Sequence, residues 1–289
     1  MALQMEQEEI ELPPEFEKER PHVERFQKGQ FEALRQFAKV CDEFGLRYYL
    51  VSGTVLGAAR HGGFIPWDDD VDVAMLRPDY DKLEELIISG KTRLRAYSFM
   101  DQADFIYTFM KVGPGEIENL HRSPYAIDVF PLDILPASKT VRFVQEKLRI
   151  FFQQLLNCRY GCHVAKVPRW KYCFYLAVGF FFPRDTMKIN RMRRRLLRTP
   201  GEFRPGTLIG GRFSIYGEKE FMPLEIYGID GLTEVEFCGE KFKAPARLED
   251  YLSHFFGDWR ALPPLEKRRP HHVEDPDWFW SGRVPRVED

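Results

Sequence analysis

The sequence predicts an α/β protein of the α+β kind, a mixed β-sheet flanked by helices and interrupted by a helical insertion. Three observations predict it. Apolar residues recur at helical spacing near the N-terminus, and two short segments set acids between Val and Ile in strand-like alternation. A long aromatic and basic stretch without strand signals then separates these from a C-terminal part built of turns and short strands. The 289 residues, 44% hydrophobic and 30% charged, suffice for a large core and exclude disorder, collagen and low-complexity repeats.

Residues 1–22 read as a solvated acidic arm. From Val23 to Phe44 the apolar positions Phe26, Phe31, Leu34, Phe37, Ala38 and Cys41 mark a helix that Gly45 stops. Arg47 to Val51 gives a short strand ending at the turn Ser52-Gly53-Thr54, and Thr54 to Arg60 a short helix that Ser52 or Thr54 can cap. A glycine-rich loop, His61 to Pro66, leads into WDDDVDVAML. There Asp70, Asp72 and Ala74 alternate with Val71, Val73 and Met75, so a strand shows its acids on one face. Asp79 to Ile88 returns to helix, and YAIDVFPLDILP supplies a second acid-bearing strand with Asp128 between Ile127 and Val129. The core reads as 23–138, the helical insertion as 139–204, and 205–289 as its C-terminal part, with the strands of VEFCGEKFKAP, a last helix LEDYLSHFFG and a basic tail.

Charge and cysteine usage narrow the setting. Lys and Arg number 42 against 44 Asp and Glu, a net charge of -2, so no global attraction to nucleic acid is expected. Five cysteines without a framework, and an acidic, proline-broken first segment in place of a signal peptide, predict a cytoplasmic chain in a reducing compartment. The longest uncharged aromatic run, Tyr172 to Phe182, is too short to span a bilayer. Cys158, Cys162, His163 and Cys173 lack a second ligand pair at zinc spacing; free thiols are the default, and zinc at this group stays open.

The chemistry lies in three carboxylates. Asp70 and Asp72, two apart on a strand, point the same way, and Asp128 on a neighbouring strand can converge on them. Carboxylate oxygens are the ligands of hard divalent cations, which keep phosphate oxygens in their shell. Ser52, Gly53 and Thr54 open a helix whose N–H groups and dipole favour an anion, so metal-assisted phosphoryl transfer is the reaction class. A run such as Asp68-Asp69-Asp70 is more often a solvated turn. Here Trp67 and Pro66 precede it and Val71 and Val73 interleave it, an apolar frame in which unpaired carboxylates are costly and a cation is favoured. Arg60 and His61 close the helix as a phosphate-binding pair or as a structural tie to an acid such as Asp68. Lys111 and Arg122 are further phosphate ligands, and His271 and His272 end the tail either as site residues or as solvated side chains.

LVSGTVLGAARHGGFIPWDDDVDVAMLRPDYDKL and AIDVFPLDILP resemble the two signature motifs of the LicD family, and FKAPARLEDYLSHFFGDWRALPPLEKRRPHH resembles its C-terminal block. The resemblance implies a nucleotidyltransferase-like fold. It also implies transfer of a phospho-alcohol, typically phosphocholine from CDP-choline, to a sugar hydroxyl with release of CMP. By the same resemblance Gly53 and Thr54 hold the donor's phosphates, and Asp70, Asp72 and Asp128 bind Mg²⁺, or Mn²⁺ in its place, with Asp68 orienting them. Ser-Gly-Thr stands where the family more usually has Gly-Gly-Thr or Gly-Gly-Ser. A glycan or lipid-linked sugar acceptor follows, and so does a use for the insertion: residues 170–198 either contact a membrane peripherally or form a buried subdomain with a basic edge. Two other readings use the same residues: a nucleotidyltransferase that moves NMP to a small molecule and releases pyrophosphate, and a non-catalytic nucleotide-binding module.

Overall fold

The structure is a computed structural model and describes residues 10–98, 107–117, 125–160, 168–211, 221–228 and 231–270. Strands β1 (Tyr49–Leu50), β2 (Asp72–Leu76), β3 (Leu94–Tyr97), β4 (Met110–Pro114) and β5 (Ile127–Ile134) lie in the order β1-β2-β5-β4-β3. The sheet is mixed as expected: β2 and β5 are parallel, while β1–β2, β5–β4 and β4–β3 are antiparallel. The long β5 is used twice, its first half pairing β4 and its second half pairing β6 (Leu208–Gly211), which in turn holds β7 (Met222–Pro223).

Helix α1 (Phe16–Glu43) packs on β3, β4 and β5, and begins earlier than Val23 because Phe16 is itself buried in the core. Part of the expected acidic arm is therefore helix. Helix α2 (Ser52–His61) follows β1 directly, which leaves β1 only two residues long. No side chain caps α2; Thr54 instead accepts the Asp72 N–H at 2.8 Å, fastening the helix to β2. Helix α3 (Arg77–Ile88) packs on β2, β3 and β5. Apolar residues of β2 and β5, Val73, Met75, Ile127 and Val129, meet Leu34 and Phe37 of α1 in one continuous core.

The insertion is helical as predicted. Helix α4 (Lys139–Tyr160) packs with α5 (Arg169–Gly179) and α6 (Thr186–Leu197) around Phe152, Leu155, Leu156 and Ile189. Asp185 caps α6, accepting from the Met187 N–H at 2.8 Å. Ion pairs clamp α6 to α3: Arg194 meets Asp81 and Glu84, and Arg198 meets Asp81. Nearby, Arg77 grips Asp133 of β5 through two bonds of 2.8 and 2.6 Å.

The C-terminal third returns to the core. After α7 (Leu224–Tyr227), the hairpin of β8 (Thr233–Phe237) and β9 (Glu240–Ala244) packs on α2 and β1, and α8 (Leu248–Phe256) follows. Phe237 and Phe242 join Phe31 of α1, and Tyr227 lies between Tyr49 and Tyr251. Gly57 marks how closely α2 approaches the glycine loop. A Cβ there would lie 2.4 Å from the Gly63 carbonyl oxygen and 3.0 Å from the Ile65 nitrogen, both backbone atoms. Gly57→Ala is expected to destabilise the fold by about 1–3 kcal/mol through overpacking, read as a lower urea midpoint at unchanged m-value. An unchanged midpoint would contradict this contact.

Candidate active site

The parallel pairing of β2 with β5 sets Asp72 opposite Asp128, and the antiparallel pairing of β4 with β5 sets Lys111 opposite Asp128. Asp72, Asp128 and Lys111 therefore form one row across three strands and project from the same face of the sheet. The buried Lys111 ammonium donates to the Asp128 carboxylate. Asp70 precedes β2 by two residues and joins the row from the adjoining loop.

Three elements hold the acids in place. From β1, the Val51 N–H donates to the Asp72 carbonyl at 3.1 Å, while Thr54 takes the Asp72 N–H. Ser52 has φ +52°, in the left-handed region that favours glycine and costs another residue about 1 kcal/mol. Ser52 offsets the strain in part: its N–H donates to the Tyr251 hydroxyl at 3.1 Å. From α1, Gln27 donates to the Asp68 carbonyl at 2.8 Å and the buried Gln30 to the Asp69 carbonyl at 3.0 Å. Gln27, Gln30 and Tyr251 escaped the sequence reading. The one signal for the glutamines was a polar pair, three apart, among the apolar positions of α1.

The Asp68 carboxylate packs against Gly53, where a Cβ would stand 2.5 Å from Oδ2, so any larger residue there would have to displace that carboxylate. Burial, followed by the charge of Asp70, holds Asp68 and Asp72 well above the usual carboxylate range; Asp72 adds to the effect on Asp68, and Asp128 to that on Asp72. Lys111 lowers Asp72 but does not cancel these effects. A partly buried set of carboxylate oxygens with unoffset negative charge fits a hard divalent cation in kind and in charge. Among the described residues no three Asp, Glu, His or Cys side chains already form a metal cage, so oxygens from outside the chain would have to complete the shell.

The structure brings Ser52, Gly53, Thr54, Asp68, Asp70, Asp72, Lys111 and Asp128 into one region, but not Arg60 and His61. These end α2, about 12 Å of helix from its start. The Arg60 guanidinium donates to the Trp259 and Ala261 carbonyls at 3.2 and 3.1 Å, and its Nε to His61 Nε2 at 2.9 Å. Asp68 is not the acid Arg60 bridges; main-chain carbonyls take that place. Arg122, His271, His272, Cys162 and His163 lie outside the described residues. Cys158 is buried and Cys173 exposed.

The site is thus a mixed sheet that carries paired strand acids beside a helix start. Residues 45–154 match the family described as LicD/FKTN/FKRP, nucleotidyltransferase domain. The chain is 25% identical over 259 residues to the lipopolysaccharide cholinephosphotransferase LicD of Haemophilus influenzae, covering 84% of this chain and 92% of that protein. It is 34% identical over 106 residues to the ribitol 5-phosphate transferase FKRP of Homo sapiens, 35% of this chain and 19% of that protein. The Mus musculus FKRP matches over the same length at 34%.

His61 offers a titration to test. Burial, and then the charge of Arg60, lowers it to about 4 from an ordinary 6.5, so the folded protein holds it neutral. Its contribution to stability is complete above pH 6.5 and is lost as the pH falls toward 4, because the unfolded chain binds the proton first. His61→Gln, which keeps an acceptor for Arg60, is expected to flatten urea stability between pH 6.5 and 4 relative to wild type. Parallel profiles for the two proteins would overturn this. Arg60→Lys is expected to lower stability, since an ammonium cannot reach His61 and both carbonyls in the same fork.

Proposed function

We propose that this protein transfers a phospho-alcohol, phosphocholine foremost, from a CDP-alcohol donor to a sugar hydroxyl of a cell-surface glycan or glycolipid precursor, releasing CMP. The observation that carries the reading is the row Asp72–Asp128–Lys111 beside the start of α2. The match to the Haemophilus influenzae cholinephosphotransferase along most of both chains supports the substrate class. The matches to the ribitol 5-phosphate transferases support phospho-alcohol transfer more generally.

In this reading the first N–H groups of α2, which have no carbonyl partner within the helix, receive the donor's phosphate oxygens at Gly53 and Thr54. The absence of a side chain at Gly53 lets Asp68 and the donor approach the same turn. Asp70, Asp72 and Asp128 would hold Mg²⁺, or Mn²⁺ in its place, whose chemistry is to neutralise charge on the phosphoryl oxygens. The acceptor oxygen attacks the phosphorus next to the alcohol in line with the bond to CMP. That P–O bond breaks, and CMP leaves with the electron pair. Asp128, or an acid beside it, takes the hydroxyl proton, and Lys111 holds Asp128 in the row.

The test is product analysis with CDP-choline, CDP-ethanolamine, CDP-glycerol and CDP-ribitol, with and without Mg²⁺. CMP release together with a phosphodiester on the glycan is the expected outcome; pyrophosphate release from a nucleoside triphosphate would replace this reading with nucleotidyl transfer. Asp70→Asn and Asp72→Asn are each expected to lower turnover roughly a thousand-fold or more while the far-UV spectrum stays native, since each removes transition-state charge stabilisation. Near-normal turnover of either variant at saturating Mg²⁺ would remove that acid from the site.

A further inference from the structure

Helix α5 is apolar on both sides, and only one side is covered. Tyr175, Gly179 and, just past the helix, Phe182 face the insertion's own core. On the other side, Trp170, Phe174 and Ala177 recur at helical spacing and run into Phe180 and Phe181 of the following turn, all exposed. Trp170 is 69%, Phe180 82% and Phe181 84% exposed, more than chance scatter places on a surface in one short stretch. The turn is built: Arg159 donates to the Gly179 carbonyl at 2.6 Å and to the Pro183 carbonyl at 2.5 Å, holding both phenylalanines out.

The charge around this stripe identifies what covers it. Residues 169–198 hold nine Lys and Arg against a single acid, Asp185, in a chain whose net charge is -2. Three of the nine are engaged within the protein. Arg193 is buried beside Asn190 and Gln153, and Arg194 and Arg198 hold Asp81. Of Arg193 to Arg195, only Arg195 is exposed and outside these ties. Arg169, Lys171, Arg184, Lys188, Arg191 and Arg195 are exposed, the last three as one stripe on the outer side of α6. A second copy of the chain in a two-fold contact would set these cations against their own kind.

We propose that α5 and the Phe180-Phe181 turn dock this protein on an anionic lipid surface, the aromatic stripe entering the headgroup boundary and the exposed cations facing lipid phosphates. Trp and Phe on one side with Lys and Arg beside them is the composition of an interfacial element. At 11 residues the helix is about 16 Å long, enough to lie in the interface and too short to cross it. Among the described residues no helix is long and apolar enough to cross a membrane. The inference stands apart from the transfer reaction, and binding is measured without substrate.

Co-sedimentation of the full chain with vesicles of equimolar phosphatidylglycerol and phosphatidylcholine, against phosphatidylcholine alone, tests it. Wild type is expected to bind the anionic vesicles and to leave them at about 1 M salt, where the Debye length is about 3 Å. Lys188→Glu/Arg191→Glu/Arg195→Glu is expected to lower the partition coefficient about a hundredfold, and Phe180→Ser/Phe181→Ser at least about tenfold. These side chains are exposed, so unchanged melting temperatures separate lost docking from lost folding. No binding of folded wild type, or variants that bind as it does, would overturn the proposal. So would a concentration-dependent dimer abolished by Phe180→Ser/Phe181→Ser without vesicle binding, since it would give the stripe to a second copy.

Discussion

The register of β2 against β5 is the constraint on which the rest depends. With Asp72 opposite Asp128, every second residue of both strands projects toward the carboxylate cluster, and Val73 and Val129 fill the core on the other face. A slip of one residue would turn the acids into the core and the valines into the site, a change the apolar packing forbids. The antiparallel β4 extends the row by one strand, and that places Lys111 rather than an apolar neighbour against Asp128. Core and site are thus two faces of one pairing, and neither can be altered without the other.

Much of this was legible because it is local. The alternation in WDDDVDVAML and AIDVFPLDILP gives the strands and the common face of their acids, and the helical spacing from Val23 to Phe44 gives all of α1 but its first two turns. What was not legible joins residues distant in the chain. Arg60 carries the marks of a phosphate ligand, yet its hydrogen bonds go to carbonyls some 200 positions away, and no spacing rule announces such a contact. The capping role suggested for Ser52 or Thr54 follows from residue type alone. Tertiary contact gives the Thr54 side chain to the Asp72 N–H instead, and the Ser52 N–H to the Tyr251 hydroxyl. Arg193 is a similar case: in a run of three arginines it is the one fully buried, beside Asn190 and Gln153, and residue type gives no sign of it.

The insertion illustrates how a surface element can be fixed firmly and still keep a free face. Its three helices share a small aromatic core of their own, which is modest for 60 or so residues. Ion pairs tie them to α3: Arg194 of α6 reaches Asp81 and Glu84, Arg198 just past α6 reaches Asp81, and Arg77 of α3 reaches Asp133 of β5. Several of these pairs are largely shielded from solvent, where an Arg–carboxylate fork fixes orientation as well as distance. With α6 held in this way, the outer side of α5 takes no part in holding the domain together.

Both ends of α2 are tied to the last part of the chain. Tyr251 of α8 receives the Ser52 N–H at the helix start, and the carbonyls of Trp259 and Ala261 receive Arg60 at its end. These ties span about 200 residues, and a ribosome adding roughly 5–20 residues per second needs on the order of 10–40 s to make that length. Between the synthesis of β5 and that of α8, Asp72 and Asp128 exist with their strands while α2 still lacks these two C-terminal ties. Completion of the site is therefore an event of late synthesis, and a nascent chain cut short before α8 would carry the motif without the geometry that gives it use.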